Sequence, residues 1–302
     1  MNPRYRGIAA LLVVTLVWGT TFPAMKDLSA WYSPAWIVLL RFAVASVLLL
    51  PFLRGAVRAD VASGAVLGVL LFACYVFQVE GLALTSSNRN AFITGLNVLV
   101  VPLLGLLAGS LPERRIVAAL VLAVAGLFAL CWDGAAWGRG DTLALVGAIA
   151  FGAYIKLMAV RTRRATRLMT LTAMQIMTVA LCSLLWLLTR EVPWSAGGEA
   201  TAAYWAHALG GARVYAANFL YLGVVATAAI ISLQSWGQRN SSANEAAVIY
   251  AFEPACAAFF AFFWLDETMS GRAWIGAALL ISGMIVSQWN SEPRPAAALA
   301  PE

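Results

Sequence analysis

The second half of this chain repeats the first, and the number of segments in each copy is odd. Gln78, Gly81 and Asn88 are matched by Gln234, Gly237 and Asn244, each 156 positions later. Further along, each half carries a proline inside an apolar run (Pro102, Pro254) and an acid where that run ends (Glu113, Glu267). Each half then closes with a glycine-bearing apolar stretch, around Gly126 and around Gly283. Both copies hold five hydrophobic segments. If all five cross a membrane, the second copy must insert upside down relative to the first. The spacing predicts an all-α membrane protein of ten transmembrane helices in two inverted five-helix repeats, 1–138 and 139–290. Inverted repeats with a site near the bilayer midplane are a construction plan of secondary transporters.

Segment length supports the membrane assignment independently of the repeat. The runs near 6–25, 34–53, 61–82, 89–110, 115–133, 140–160, 167–189, 213–237, 244–265 and 271–289 approach the length needed. Crossing a hydrocarbon layer of about 30 Å as a helix takes around 20 residues. Charged residues make up 11% of the chain and border these runs, whereas soluble domains carry about 25%. Arg4 and Arg6 precede the first run as they would in a signal peptide, but no small-residue cleavage pattern follows, so a retained first helix is expected.

Cytoplasmic loops carry the excess of arginine and lysine. With the N-terminus inside, the inner loops hold twelve arginines and the outer loops six basic residues, which predicts both termini in the cytoplasm of a bacterial inner membrane. The net charge of +6 is a topology signal of the same kind, and no basic patch outside the runs points to nucleic acid. Apart from 190–212 the loops are short, and the Pro- and Ala-rich tail 291–302 is expected to be disordered and cytoplasmic. Cys74, Cys131, Cys182 and Cys256 lie within or at the ends of runs and read as small apolar side chains.

Several functions lack their chemistry. There is no Gly-x-x-x-x-Gly-Lys-Ser/Thr loop and the chain has two lysines, which argues against an ATP-driven pump. The single histidine, His207, sits in the long outer loop, so neither a metal centre nor a histidine-activated nucleophile within the runs is expected. No cofactor and no metal are implied. A channel could be built from any helix, but duplication with inversion fits alternating access better than a pore.

Trp18-Gly19-Thr20-Thr21-Phe22 with Lys26, the stretch from Pro34 to Arg41-Phe42, and the repeat closings Pro102 to Glu113 and Glu253-Pro254 to Asp266-Glu267, with Gly276 and Gly283, resemble the EamA-type exporters of the drug/metabolite transporter superfamily. The resemblance covers essentially the whole chain. It departs at Pro112-Glu113, where the family has a Gly-Glu-like turn, and at Glu80, where the family carries an uncharged or basic residue. Within the superfamily the chain resembles the bacterial amino-acid exporters, the aromatic branch above all. The resemblance implies ten helices around a central cavity lined by spans 1, 3, 4, 6, 8 and 9, and export from the cytoplasm.

Polar side chains at membrane depth must face a bundle interior or a wet cavity. Asn90, Thr94 and Asn97 share one face of span 4 by helical spacing, as do Tyr75 and Gln78 on span 3, Thr227 and Gln234 on span 8, and Tyr250 and Glu253 on span 9. Hydrogen bonding between helices would explain them without any substrate. Glu253 is the sharpest case, since a mid-span carboxylate must be paired, protonated or functional. Its partner would be Arg41 or Lys156; its function would be contact with a substrate amino group or a proton. Arg41 reads either as that partner or as a fork for a carboxylate. Trp18 and Tyr154 lie deep on repeat-related spans and could wall an apolar pocket or simply pack. Pro102 and Pro254 are expected to weaken spans 4 and 9 at similar depth and act as gates, while Gly64-x-x-x-Gly68 and Gly105-x-x-x-Gly109 read as close helix contacts.

Taken with the resemblance, the expected function is export of small zwitterionic metabolites, amino acids including aromatic ones, by a monomer in the lipid bilayer. The substrate-cavity residues would be Trp18, Arg41, Tyr75, Gln78, Asn97, Tyr154, Thr227, Gln234, Tyr250 and Glu253. Efflux of cationic drugs is the alternative within transport, and a membrane-embedded enzyme the alternative outside it.

Overall fold

The computed structural model describes residues 3–85, 87–109, 111–131, 136–264 and 270–288. Among them every regular element is helical: α1 (Pro3–Leu28), α2 (Pro34–Leu49) with a 3-10 turn to Leu53, α3 (Arg58–Leu84), α4 (Ser87–Gly95), α5 (Asn97–Leu107), α6 (Arg114–Cys131), α7 (Arg139–Arg164), α8 (Leu168–Arg190), α9 (Gly198–Gly210), α10 (Ala216–Leu220), a π-helical segment Tyr221–Ala229, α11 (Ile230–Arg239), α12 (Ala243–Tyr250), α13 (Glu253–Trp264) and α14 (Gly271–Gln288). Seven runs among the described residues are long and apolar enough to cross a membrane, and the chain is a multi-pass membrane protein. The expected spans at 115–133, 244–265 and 271–289 fall on α6, on α12 with α13, and on α14. Asp266, Glu267 and the tail 291–302 lie outside the described residues.

Local chemistry sets several helix starts. Ser33 accepts the Trp36 N–H at 3.4 Å with Pro34 at the first helical position of α2. Ser242 and Glu245 form a reciprocal capping box on α12, at 3.1 and 3.0 Å. Asp60, buried at the start of α3, accepts the Thr166 and Arg167 N–H groups at 3.1 and 2.8 Å, which fixes the turn into α8. The predicted outer loop 190–212 contains α9, tied to the α1–α2 turn: Trp31 stacks on His207 with centroids 4.4 Å apart, and the Trp36 indole donates to Tyr204 at 2.8 Å. Burial, and then the neighbouring Glu191 carboxylate, push the Tyr204 hydroxyl up to about 12, so it stays a neutral donor.

The packing pairs off. α1 packs on α11, α12 and α13, while α7 packs on α3, α4 and α5; α6 packs on α14. Two charge pairs join helix starts at opposite ends. Arg89 at the start of α4 grips Asp141 at the start of α7, with Nε–Oδ1 2.6 Å and Nη2–Oδ2 2.9 Å. Glu245 at the start of α12 pairs with Arg4 at the start of α1, and Arg115 lies 3.6 Å from the same carboxylate. Arg89 and Glu245 stand 156 positions apart with opposite charge.

Gly64 and Gly68 make the close contact the spacing predicts. A Cβ at Gly68 would lie 2.5 Å from the Thr178 Cβ on α8, and one at Gly64 2.5 Å from the Leu171 oxygen. Gly68→Val is expected to lower stability by about 1–3 kcal/mol through overpacking, read as a lower melting temperature of the detergent-purified protein; an unchanged value would show that α3 and α8 can separate freely. The Gly105–Gly109 expectation is corrected at Gly109. That residue has φ +75°, so it follows the end of α5 in a left-handed turn, and a Cβ there would meet no described atom within 4 Å.

Candidate functional site

The helical runs expected as spans 4 and 9 are both interrupted. Leu96 separates α4 from α5, and Ala251–Phe252 separate α12 from α13. Leu96 and Phe252 are 156 positions apart, and so are Asn97 and Glu253, the first residues of the two second halves. Asn97 Nδ2 donates to the Thr94 oxygen at 2.9 Å, occupying a carbonyl next to the break. Glu253 sits in the first turn of α13, where the helix dipole favours a carboxylate. The break therefore lies six residues before Pro102, which is inside α5, whereas Pro254 is the second residue of α13. Pro254 suits that position because its missing N–H is not needed there.

Both breaks open onto one cavity lined by Trp18, Thr21, Tyr75, Gln78, Thr94, Asn97, Phe151, Tyr154, Ile155, Gln234, Tyr250 and Glu253. Eight of the ten residues expected at a substrate cavity are on its wall. Three pairs across it keep the 156-residue offset: Gln78 with Gln234, Thr94 with Tyr250, and Asn97 with Glu253. Thr94, absent from the expected cavity set, could have been found by applying that offset to Tyr250. Phe151 and Ile155 gave no signal of their own, being apolar residues on an apolar helix.

The cavity's polar groups are short of partners. Trp18 Nε1, Asn97 Oδ1, Gln234 Oε1 and the Tyr250 hydroxyl are buried without a hydrogen bond to a described residue. Tyr250 and Gln234 lie near one another, but their atoms do not meet at bonding distance and angle. The Glu253 carboxylate makes no hydrogen bond or ion pair with a described residue. Buried polar groups are nearly always paired, so four unsatisfied buried groups and a half-buried carboxylate around one space call for water or a ligand. The space itself is about 30 Å³, room for one or two waters.

Larger cavities lie beyond it on both sides. One of about 250 Å³ is lined by Val101, Pro102, Glu113, Arg115, Lys156, Ala159, Arg163 and Asn244 among others. The other, about 300 Å³, is lined by Met25, Val79, Leu82 and the α1–α2 turn from Ser29 to Pro34. These are opposite ends, because the start of α7 packs on the end of α3, with Gly140 against Leu84, and Arg161 near the end of α7 bonds Ser63 near the start of α3. One helical turn leads from the centre to each: Thr21 to Met25 and Gln78 to Leu82 one way, Asn97 to Val101 and Ile155 to Ala159 the other.

Two residues expected at the substrate cavity, Arg41 and Thr227, do not line this space. Arg41, 1% exposed, does not line the space and does not pair with Glu253. Its Nε donates to Thr227 Oγ1 at 2.7 Å, its Nη2 to the Ala226 oxygen at 3.2 Å, and its guanidinium lies 4.9 Å from the Tyr75 ring centroid. Both acceptors belong to the π-helical segment. Thr227 thereby faces Arg41 and not the cavity; the seven-residue spacing to Gln234 assumed a regular α-helix, and the wider π turns shift the register. Arg41 supports Tyr75 from behind through a cation–π contact. Tyr154 is held by its hydroxyl donating to Gln175 Oε1 at 3.2 Å. Lys156, the other suggested partner of Glu253, faces the 250 Å³ cavity. No group of three metal-binding side chains occurs among the described residues.

Comparison with known proteins bears on this arrangement. The model of the EamA-like transporter family matches the chain twice, over residues 5–132 and 138–288. An uncharacterized transporter of Archaeoglobus fulgidus is 27% identical over 278 residues, 91% of this chain and 83% of its own length. A permease-like protein of Bacillus subtilis is 30% identical over 67 residues, 22% of this chain and 86% of its own. A solved crystal structure shares the fold with a TM-score of 0.72 at 17% identity, over 94% of this chain and 97% of that one.

Proposed function

The chain belongs to the EamA-like transporter family, and from that premise we propose that it exports small zwitterionic metabolites, amino acids including aromatic ones, by alternating access. The observation that carries this reading is the central cavity. It combines unsatisfied donors and acceptors with one unpaired carboxylate and is walled by Trp18, Tyr75, Phe151, Tyr154 and Tyr250. The Glu253 carboxylate and the Asn97 and Gln234 amide oxygens suit a substrate ammonium, the Trp18 indole N–H and the Tyr250 hydroxyl can donate to a carboxylate, and the rings suit an apolar side chain.

A two-repeat, ten-span architecture is supported by the double family match, the paired helix contacts and the recurring offset of 156 residues. In this reading both termini face the cytoplasm of a bacterial inner membrane, so the arginine-bearing cavity is the inner mouth and the one under the α1–α2 turn is the outer mouth. A centre of about 30 Å³ between wider mouths corresponds to a contracted state. Substrate binding would require α5 and α13 to swing at the Leu96 and Phe252 breaks, with Pro102 and Pro254 carried along as parts of the moving halves.

The aromatic walls and the single acid also favour a second reading, efflux of lipophilic cations. Proteoliposomes separate the two. Saturable movement of labelled aromatic amino acids, not inhibited by quaternary ammonium dyes, is the expected result, tested with and without a pH gradient. Dye transport without amino-acid transport would overturn the proposal.

A further inference from the structure

Lys156 occupies an unusual place. It lies on α7 eight residues before Arg164, about 12 Å from the helix end at 1.5 Å per residue. It faces the cavity of about 250 Å³ and not the central one. The wall of that cavity carries Lys156, Arg115 and Arg163 against one acid, Glu113. The two arginines are engaged. Arg115 holds Glu113 at 2.5 Å and the Ser287 oxygen, and Arg163 donates to the Ser241 oxygen at 2.5 Å. The Lys156 ammonium has no hydrogen bond or ion pair with a described residue, and neither has the side-chain amide of Asn244 on the same wall.

A charged lysine at membrane depth is costly and marks a solute path by default. Its four-carbon stem can follow apolar surface and place the ammonium in a wet space, which explains why the charge is tolerated but leaves it without a counter-ion. We propose that this cavity is a carboxylate-binding site, in which Lys156 supplies the charge and Asn244 a further donor to a small solute. The volume approaches that of the smallest small-molecule pockets, about 300 Å³. Ile155 lines the central cavity and Lys156 this one, so the two spaces are neighbours along α7. A zwitterion would be met first by its carboxylate here and then by its ammonium at Glu253. The identity of that solute rests on the transport reading above; the anion site does not.

The test uses benzoate and benzamide, which match in shape and differ in charge, titrated calorimetrically into the full-length protein in neutral detergent. Wild type is expected to bind benzoate about tenfold or more tighter than benzamide, the gain of a charge-assisted contact. Lys156→Gln should erase that preference and Lys156→Arg should keep it. Equal binding of the two ligands by wild type, or a full preference in Lys156→Gln with an unchanged melting temperature, would overturn the proposal. So would loss of the preference in nanodiscs on adding phosphatidylglycerol, which would assign the site to a lipid headgroup. Proteoliposomes that move no amino acid while Lys156-dependent benzoate binding persists would sink the transport reading alone.

Discussion

Arg89→Ala is expected to lower the unfolding free energy by about 3–5 kcal/mol, the cost of stranding a buried charge whose partner is removed. The side chains of Arg89 and Asp141 are 6% and 3% exposed and meet through two bonds. Asp141 also accepts the Gly138 N–H at 2.7 Å and Thr85 Oγ1 at 3.4 Å, so removing the guanidinium leaves a carboxylate already committed to its place. Arg89→Ala/Asp141→Ala should recover part of the loss, because neither charge is then orphaned, and a double-mutant cycle on melting in detergent would give the coupling. Additive single effects would mean the pair is not a unit. The expected loss is confined to stability; proteoliposome transport per folded molecule should persist if the pair only clamps the starts of α4 and α7.

Glu253→Gln separates the readings of the central acid. The side chain keeps its shape and loses its charge. If the carboxylate meets a substrate ammonium, affinity for zwitterions should fall by about 1.5–3 kcal/mol, roughly ten- to a hundred-fold, with little change in melting temperature. Glu253 makes no ion-pair contact among the described residues; Arg41, whose charge acts on it, is hydrogen-bonded to Ala226 and Thr227. A proton-coupling role predicts instead that transport stops responding to an imposed pH gradient. A drop in stability of the size expected for Arg89→Ala would reveal a hidden partner, and wild-type behaviour in every assay would leave Glu253 a bystander.

The sequence by itself determined where the apolar runs lie, that they recur with an offset of 156 residues, and which polar residues interrupt them. These are local or periodic quantities: hydrocarbon thickness sets run length, and a polar side chain at membrane depth has to turn inward. Tyr75, Gln78, Asn97, Gln234, Tyr250 and Glu253 were legible for that reason, and the structure brings them onto one cavity. Facing inward does not say toward whom. Arg41 and Glu253 looked alike as mid-span charges, yet Arg41 is consumed by a carbonyl and a hydroxyl on a π-helical segment that no residue pattern announced. Arg89 counted as a loop charge until α7 placed Asp141 against it. Pro102 lies inside α5, six residues after the break at Leu96, beside which Asn97 Nδ2 donates to the Thr94 carbonyl. Partner choice, helix register and cavity size depend on how separate helices meet. That geometry is decided by the packing of glycines such as Gly64 and Gly68 against α8, contacts more than a hundred residues apart in the chain that only the tertiary structure brings together.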